Sequence, residues 1–290
     1  MKRLLVTGAK GMLGGAVVAA AERDPDAPGI LACGRDRLDL RYPDGVREVL
    51  REERPDVVVN CAGWTAVDDA ETREIDALAV NGHGVRALAQ GCAEIGARLL
   101  HISTDYVFDG TARAPYAEDA PTRPANAYGR GKLAGERAVL DLLPEAGYVV
   151  RTAWLYGAGG RNFVQTMIGL EGSRDTVSVV DDQRGQPTWT GDLAERLLRL
   201  ARAEAPPGVY HGTSGGQTTW YELAREIFTL LGADPGRVRP VSSAAFPSPT
   251  ARPAFSVLGH DRWAVAGMPP IRHWRDALHD AWPSLAGGRA

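Results

Sequence analysis

A tyrosine and a lysine stand four residues apart in Ala127-Tyr128-Gly129-Arg130-Gly131-Lys132-Leu133-Ala134-Gly135-Glu136. The stretch continues with helical spacing of Leu133, Ala134, Val139, Leu140 and Leu143. Positions i and i+4 of a helix share a face, so the phenol of Tyr128 and the ammonium of Lys132 are expected side by side. A free phenol titrates near ~10. A fixed positive charge beside it favours the phenolate and brings the proton closer to neutral pH. Such a pair can give and take a proton while a carbonyl becomes an alcohol or the reverse. The same spacing arises by chance in many chains, so its meaning rests on whether the other elements supply a nucleotide site.

The first element does. Arg3-Leu4-Leu5-Val6-Thr7 reads as a buried parallel strand, Gly8-Ala9-Lys10-Gly11-Met12-Leu13-Gly14 as a tight turn, and Ala16–Ala21 as the following helix. Gly8 permits the turn, Gly11 lets backbone approach a pyrophosphate, and Gly14 lets the helix pack on the sheet; the helix N-terminus then faces the phosphates. A second strand, 30–35, ends in Gly34-Arg35. The Arg35 guanidinium suits a ribose 2′-phosphate, which favours NADPH. Asp36 or Asp39 in the acidic role would instead favour NADH. Asp39-Leu40 lies where an adenine would be covered.

Residues 45–53 read as a helix, Val57–Ala62 as the third strand and 76–95 as one long helix. Asn81 inside that helix is either on a solvated face or fixes a backbone kink or water at the site. The next strand starts at Leu99 and ends in Ser103-Thr104-Asp105, which can bring Thr104 to Tyr128 at the ligand edge; alternatively its hydroxyls only satisfy the strand's end. A strand at 148–157 follows, and then the βα rhythm breaks. The later part reads as a helix opening at Asn162, a strand at 177–183, a turn at 185–188, a helix over 192–203, a strand at 208–211, and helices over 221–231 and 274–282. Residues 286–290 are expected to lack fixed structure. The fold class is therefore α/β, a Rossmann-type doubly wound parallel sheet with a smaller mixed α/β C-terminal lobe. Residues 1–152 would bind the dinucleotide, 187–215 would return to that domain, and the rest of 153–290 would form the substrate lobe.

Bulk properties exclude several classes. The net charge of −3 and the lack of a basic run argue against nucleic acid. No apolar run reaches about 18 residues, and the N-terminal apolar run is too short for a signal peptide. Three cysteines, Cys33, Cys61 and Cys92, in apolar surroundings read as reduced core residues of a cytoplasmic protein. Neither the histidine spacing nor the cysteines suggest a metal site.

The chain resembles extended short-chain dehydrogenases/reductases, and more narrowly the dTDP-4-dehydrorhamnose reductases and their relatives in antibiotic deoxysugar pathways. The resemblance is carried by 7–14, 60–68, Ser103-Thr104-Asp105-Tyr106-Val107-Phe108-Asp109-Gly110, 128–136, 151–156, Asn162-Phe163-Val164-Gln165-Thr166-Met167 and 182–188. It implies a catalytic trio of Thr104, Tyr128 and Lys132. It implies nucleotide contacts from Gly11, Met12, Leu13, Asp39, Leu40, Gly63, Trp64 and Thr65, with Tyr128 and Lys132, and sugar contacts from Thr104, Asp105 and Trp154. On position alone Trp154 could instead be a core aromatic. NADPH, with NADH as the alternative, would reduce C4 of a dTDP-4-keto-6-deoxyhexose. Some family members dimerise around a magnesium ion held by glutamates; Gly15-Ala16-Val17 and Thr190-Gly191 offer none here, so no metal is expected, and the chain would be a monomer or a homodimer. A dehydratase would need an acid where Tyr106 stands, and an epimerase would keep its cofactor bound. A non-catalytic NADP-binding regulatory subunit is the rival from another class. Loops 64–70, 183–188 and 246–255 would set the stereochemistry at C4.

Overall fold

The structure, a computed structural model, describes residues 1–24 and 29–287. Its central sheet contains β1 (Arg3–Thr7), β2 (Gly29–Cys33), β3 (Val57–Asn60), β4 (Arg98–Thr104), β5 (Gly147–Thr152) and a late strand, Gly208–His211. The order across the sheet is Gly208–His211, β5, β4, β3, β1, β2, and every pairing is parallel. The chain leaves β1 toward β2 on one side and resumes at β3 on the other. The carboxyl ends of β1 and β3 thus flank a topological switch point, where open α/β sheets bind ligands.

The strands are nearly continuous apolar runs because both faces are covered. On one face α1 (Met12–Glu22) packs with a later helix, and on the other lie α2 (Pro43–Glu53), α3 (Val67–Thr72), α4 (Glu74–Leu78), α5 (Val85–Ile95) and α6 (Ala127–Leu142). Further on come α7 (Phe163–Glu171), α8 (Thr190–Arg202), α9 (Trp220–Leu230), α10 (Asp261–Val265) and α11 (Trp274–Ala286). Leu4, Val6, Val17, Leu193 and Leu197 join β1, α1 and α8 in one core. Leu5, Val58, Leu50, Leu88 and Leu99 form the second. A third core, with Tyr156, Val164, Ile227, Phe228 and Leu278, ties α7, α9 and α11 together beside the parallel pair Val177–Val180 and Val238–Val241.

Several stretches differ from the sequence expectation, the strand read at 148–157 among them: β5 stops at Thr152, and Leu155–Tyr156 lies outside the central sheet. The helix expected over 76–95 is broken into α4, a π-helical turn at Ala79–Gly84 and α5; Gly82, Gly84 and Asn81 are poor α-helix formers, and the wider turn leaves Asn81 fully buried. The segment 185–188 is not a simple turn. Arg184–Gly185 pairs with Thr218–Thr219, Thr188–Trp189 pairs with Leu155–Tyr156, and the Gln186 amide between them bonds Leu258 through both its oxygen and its nitrogen. The last helix runs past Trp282 and Pro283 to Ala286 because Ala281 and Leu285 are buried in the third core. Of the tail expected to lack structure, Ala286 is therefore helical, and 288–290 lie outside the described residues.

Candidate active site

The start of α6 is held from several sides. Asn126 caps it, its Oδ1 accepting from Gly129 N at 2.8 Å, while its Nδ2 donates to the Ala251 carbonyl at 3.1 Å. Glu71 of α3 accepts from Ala127 N at 2.7 Å. Glu74 of α4 accepts twice from Arg130, at 2.7 and 2.9 Å. A capped, doubly tethered first turn fixes Tyr128, which lies in it. Its ring meets Tyr106 edge-on, with centroids 5.7 Å apart.

β4 delivers the next groups. Its parallel register with β5 sets Thr104 opposite Thr152 at the carboxyl edge. The Thr104 hydroxyl faces the Tyr128 phenol closely enough to favour its phenolate, accepts from Tyr106 N at 3.2 Å and donates to Asp105 Oδ1 at 3.0 Å. Thr104 and Tyr128 are thus brought together, and the hydroxyl does more than satisfy the strand end. Burial pushes the Tyr128 phenol up to about 12, against the lowering effect of the Thr104 hydroxyl. Asp105 is 2% exposed, and burial pushes its carboxyl up to about 6 despite the lowering effect of the Ser256 hydroxyl and the Thr104 bond. Its Oδ2 lacks a hydrogen-bond partner among the described residues. Glu136, one turn beyond Lys132, is tied instead to the sheet by Ser103 at 2.5 Å and by a two-pronged, fully buried bridge from Arg151 at 2.9 and 2.8 Å.

Lys132 is buried and turned toward β4, where Nζ donates to the Ile102 carbonyl at 2.5 Å and lies 3.4 Å from His101 Nε2. Burial brings its ammonium down to about 8. The expected lowering of the phenol by this charge is not found: the phenol is raised by desolvation, and the ammonium is engaged by a carbonyl instead. Across the site stands Gly63, where a side chain would crowd Asn81 Oδ1 and approach Lys132 Nζ. Asn81 holds the neighbouring Trp64 backbone at both N and O, so its amide fixes a backbone turn at the site rather than facing solvent. The Arg73 guanidinium covers the Trp64 ring at 4.7 Å, and Thr65 is exposed.

The residues at β1 fit a dinucleotide. Gly8 has φ +61°, and a Cβ on Gly14 would run into the Gly8 carbonyl, so α1 can begin only this close to the strand because both are glycines. Gly11 caps α1 without a side-chain bond, and no acid stands in the first turn. The helix's first N–H groups and partial positive charge are left for an anion. Leu13 and Leu40 bury their side chains in the two cores, so only their backbones can serve a nucleotide; Met12 is half-buried beside the Asn162 amide. Arg41 grips Asp39 and holds its carboxyl below the usual range. Arg35 is exposed at the end of β2, and beside it Lys10 of the glycine turn pairs with Asp36 at 3.0 Å. Two cations therefore flank the place a 2′-phosphate would take. Lys10 was not legible as one of them, because its reach depends on the turn's path over Gly34.

Trp154 has a left-handed backbone, φ +46°, and stacks on Trp220 with centroids 3.5 Å apart; Phe163 packs behind Trp220 at 4.6 Å. Its ring covers Gly185, is half-buried, and is not a closed core residue. Nothing in the sequence pairs Trp154 with Trp220; the contact exists only because α9 packs beside α7 in the third core. Among the described residues no group of three or more His, Cys, Asp or Glu side chains could hold a metal ion. No helix there is long and apolar enough to cross a membrane.

A doubly wound parallel sheet with a glycine-rich first turn and a threonine–tyrosine–lysine set at the carboxyl end of β4 defines an extended short-chain dehydrogenase/reductase. The family model described as the RmlD substrate binding domain matches residues 1–286. The chain belongs to the dTDP-4-dehydrorhamnose reductase family. It is 56% identical over 98% of its length to a dTDP-4-dehydrorhamnose reductase of Streptomyces griseus, covering 94% of that protein. It is equally identical, over 98% of its length and 97% of the relative's, to a dTDP-4-keto-6-deoxy-D-glucose reductase of Streptomyces niveus. Among solved structures it resembles dTDP-4-dehydrorhamnose reductase of Bacillus anthracis in complex with NADP, with a TM-score of 0.92 and 36% identity over 97% of this chain and 99% of that one.

Proposed function

We propose that this chain is an NADPH-dependent reductase of the C4 ketone of a dTDP-4-keto-6-deoxyhexose, acting first on dTDP-4-dehydro-L-rhamnose to give dTDP-L-rhamnose. The observation that carries the reading is the meeting of Thr104 and Tyr128 at the sheet's ligand edge, with Lys132 one helical turn away and a bare pyrophosphate-type turn beside it.

When bound, NADPH supplies the hydride for C4. The Thr104 hydroxyl would orient the ketone oxygen, and the Tyr128 phenol would give it a proton as negative charge develops. A phenol pushed up to about 12 keeps its proton at neutral pH, as a donor in the reducing direction must. The donors act on charge that appears only in the transition state, so they accelerate the step rather than merely bind. Gly8, Gly11, Met12, Leu13 and Gly14 would hold the pyrophosphate, Arg35 with Lys10 the 2′-phosphate, and Asp39, Leu40, Gly63, Trp64 and Thr65 the remaining nucleoside parts. Trp154, Thr104 and Asp105 would face the sugar. In this reading residues 1–152 with 187–215 form the nucleotide-binding unit, and most of 153–290 the sugar-nucleotide lobe of a monomer or homodimer.

A second reading takes the unepimerised dTDP-4-keto-6-deoxyglucose as substrate, favoured by the equal identity to the Streptomyces niveus reductase. One experiment separates the two. The protein is given NADPH and dTDP-4-keto-6-deoxyglucose, with and without a 3,5-epimerase, and the products are identified by NMR. A rhamnose product only with epimerase supports the first reading, and a 6-deoxyhexose without it the second. No NADPH oxidation in either arm overturns both and returns the regulatory-subunit reading.

A further inference from the structure

Three polar side chains lie next to one another in a single cross-strand row of the sheet. Thr7 of β1 is in register with Asn60 of β3, and Asn60 with His101 of β4. Residues in register across a parallel sheet point to the same face. The row ends in Cys33 on one side and Val149 on the other, both in the core under α2, α5 and α6. All three polar residues are fully buried. Interior polar groups cost stability unless each is satisfied, so a row of three in an apolar face calls for a reason beyond folding.

The row has a direction. Thr7 Oγ1 and Asn60 Oδ1 are 2.5 Å apart, and Ala62 N donates to both at 3.2 Å. A 2.5 Å separation suits O–H···O and is too short for N–H···O, and the Ala62 N–H needs oxygens before it. The carboxamide oxygen of Asn60 therefore faces Thr7. Its nitrogen faces His101 Nδ1, at 2.9 Å, and Nδ1 must accept. A neutral imidazole that accepts at Nδ1 carries its hydrogen on Nε2. Nε2 is the atom 3.4 Å from Lys132 Nζ. Gly135 of α6 makes room, since a Cβ there would stand 3.2 Å from this nitrogen.

We infer that Asn60 and His101 are positioning residues that act through Lys132: the row holds His101 as its Nε2–H tautomer, aims that N–H at Nζ, and so loosens the lysine's grip on its proton. The amine can accept from His101 while donating to the Ile102 carbonyl, whereas an ammonium has only donors to offer both. The other titratable groups facing Nζ are Cys61, beyond β3, and Glu136 on α6. Burial pushes the Cys61 thiol up to about 12, which keeps it neutral, and Glu136 acts in the opposite sense, favouring the ammonium. The imidazole itself is kept neutral, since burial and the neighbouring lysine hold it well below the usual histidine range. A lysine that yields its proton just above neutral pH can give up and regain a proton within the site at working pH. Only this last, kinetic consequence rests on the reductase reading.

The chain makes a direct test practical, because Lys2, Lys10 and Lys132 are its only lysines. Protein labelled with 13C at lysine Cε is titrated by NMR, and the tautomer of His101 is read from its 15N shifts, assigned by comparison with His101→Gln. The expected results are an Nε2–H tautomer and one lysine titrating at least a unit below the other two. Asn60→Asp puts an acceptor against Nδ1, reverses the tautomer, and should raise that lysine by a unit or more; the alkaline limb of kcat should move up with it. Asn60→Ser is the second variant, removing the amide donor without adding charge, and is expected to shift the lysine in the same direction. An Nδ1–H tautomer in the unaltered protein, or a Lys132 value that both Asn60 variants leave unmoved, overturns the inference. A purely structural row would change melting temperature and leave the titration where it was. If the titrations behave as stated and no 4-keto sugar nucleotide is turned over, the reductase reading fails and this inference stands.

Discussion

Asn81 clasps the main chain of Trp64 from both ends: Trp64 N donates to Oδ1 at 2.8 Å, and Nδ2 donates to the Trp64 carbonyl at 3.0 Å. The clasp joins a π-helical turn to the loop after β3, and Gly63, next to Lys132, lies inside it. Replacing Asn81 by Ala leaves both main-chain groups short of a partner in a partly buried loop. The expected loss is about 1–3 kcal/mol in urea unfolding. KM for NADPH should rise as well, because the loop that would cover the nicotinamide end loses its anchor. Unchanged stability together with an unchanged KM would remove Asn81 from this role.

Tyr128→Phe deletes the phenol and keeps the ring against Tyr106. NADPH binding, followed by fluorescence, should stay within about threefold, while kcat falls on the order of a hundredfold or more, the usual worth of a positioned proton donor. Near-normal kcat would mean that another group protonates the product.

Arg35→Ala and Lys10→Ala test cofactor choice. The Lys10–Asp36 pair is solvent-exposed, so it contributes little to folding and is readily exchanged for a phosphate. Each variant should weaken NADPH about tenfold, the worth of a charge-assisted hydrogen bond, and leave KM for NADH nearly unchanged. Equal losses for both cofactors would place the 2′-phosphate elsewhere.

Asp105 carries a pH signature. Its folded-state value, about 6, lies above that of an unfolded aspartate, so the folded protein holds this proton more tightly. Its contribution to stability is therefore full below about pH 4 and is lost as pH rises through about 6. Asp105→Asn should be more stable than the parent at pH 7 by about 1–3 kcal/mol, with the difference vanishing below pH 4, and should bind the sugar nucleotide less well. Chemical denaturation at pH 4, 5.5 and 7.5 reads the trend; a difference independent of pH would refute it.

Much of the nucleotide half could be read directly from the chain. Glycines at 8, 11 and 14 after an apolar run admit few other structures, and Tyr128 with Lys132 four residues on share a helix face whatever surrounds them. The same local rules misjudged 76–95, because a π-helical turn differs from an α-helical one by a single residue per turn and only the docking of Asn81 on Trp64 selects it. The helix read over 274–282 ended at Trp282, yet α11 passes Pro283 to bury Leu285.

What local spacing determined here was which groups carry chemistry and on which elements they sit, since backbone periodicity alone dictates that Tyr128 and Lys132 project from one side of α6. What the tertiary structure decided was the electrical state of those groups. Burial sets the phenol high and the lysine low, and the row from Thr7 through Asn60 to His101 joins residues 53 and 41 positions apart in the chain. Desolvation and hydrogen-bond direction are properties of a three-dimensional environment, and parallel strand pairing assembles that environment from segments that carry no mark of one another in sequence.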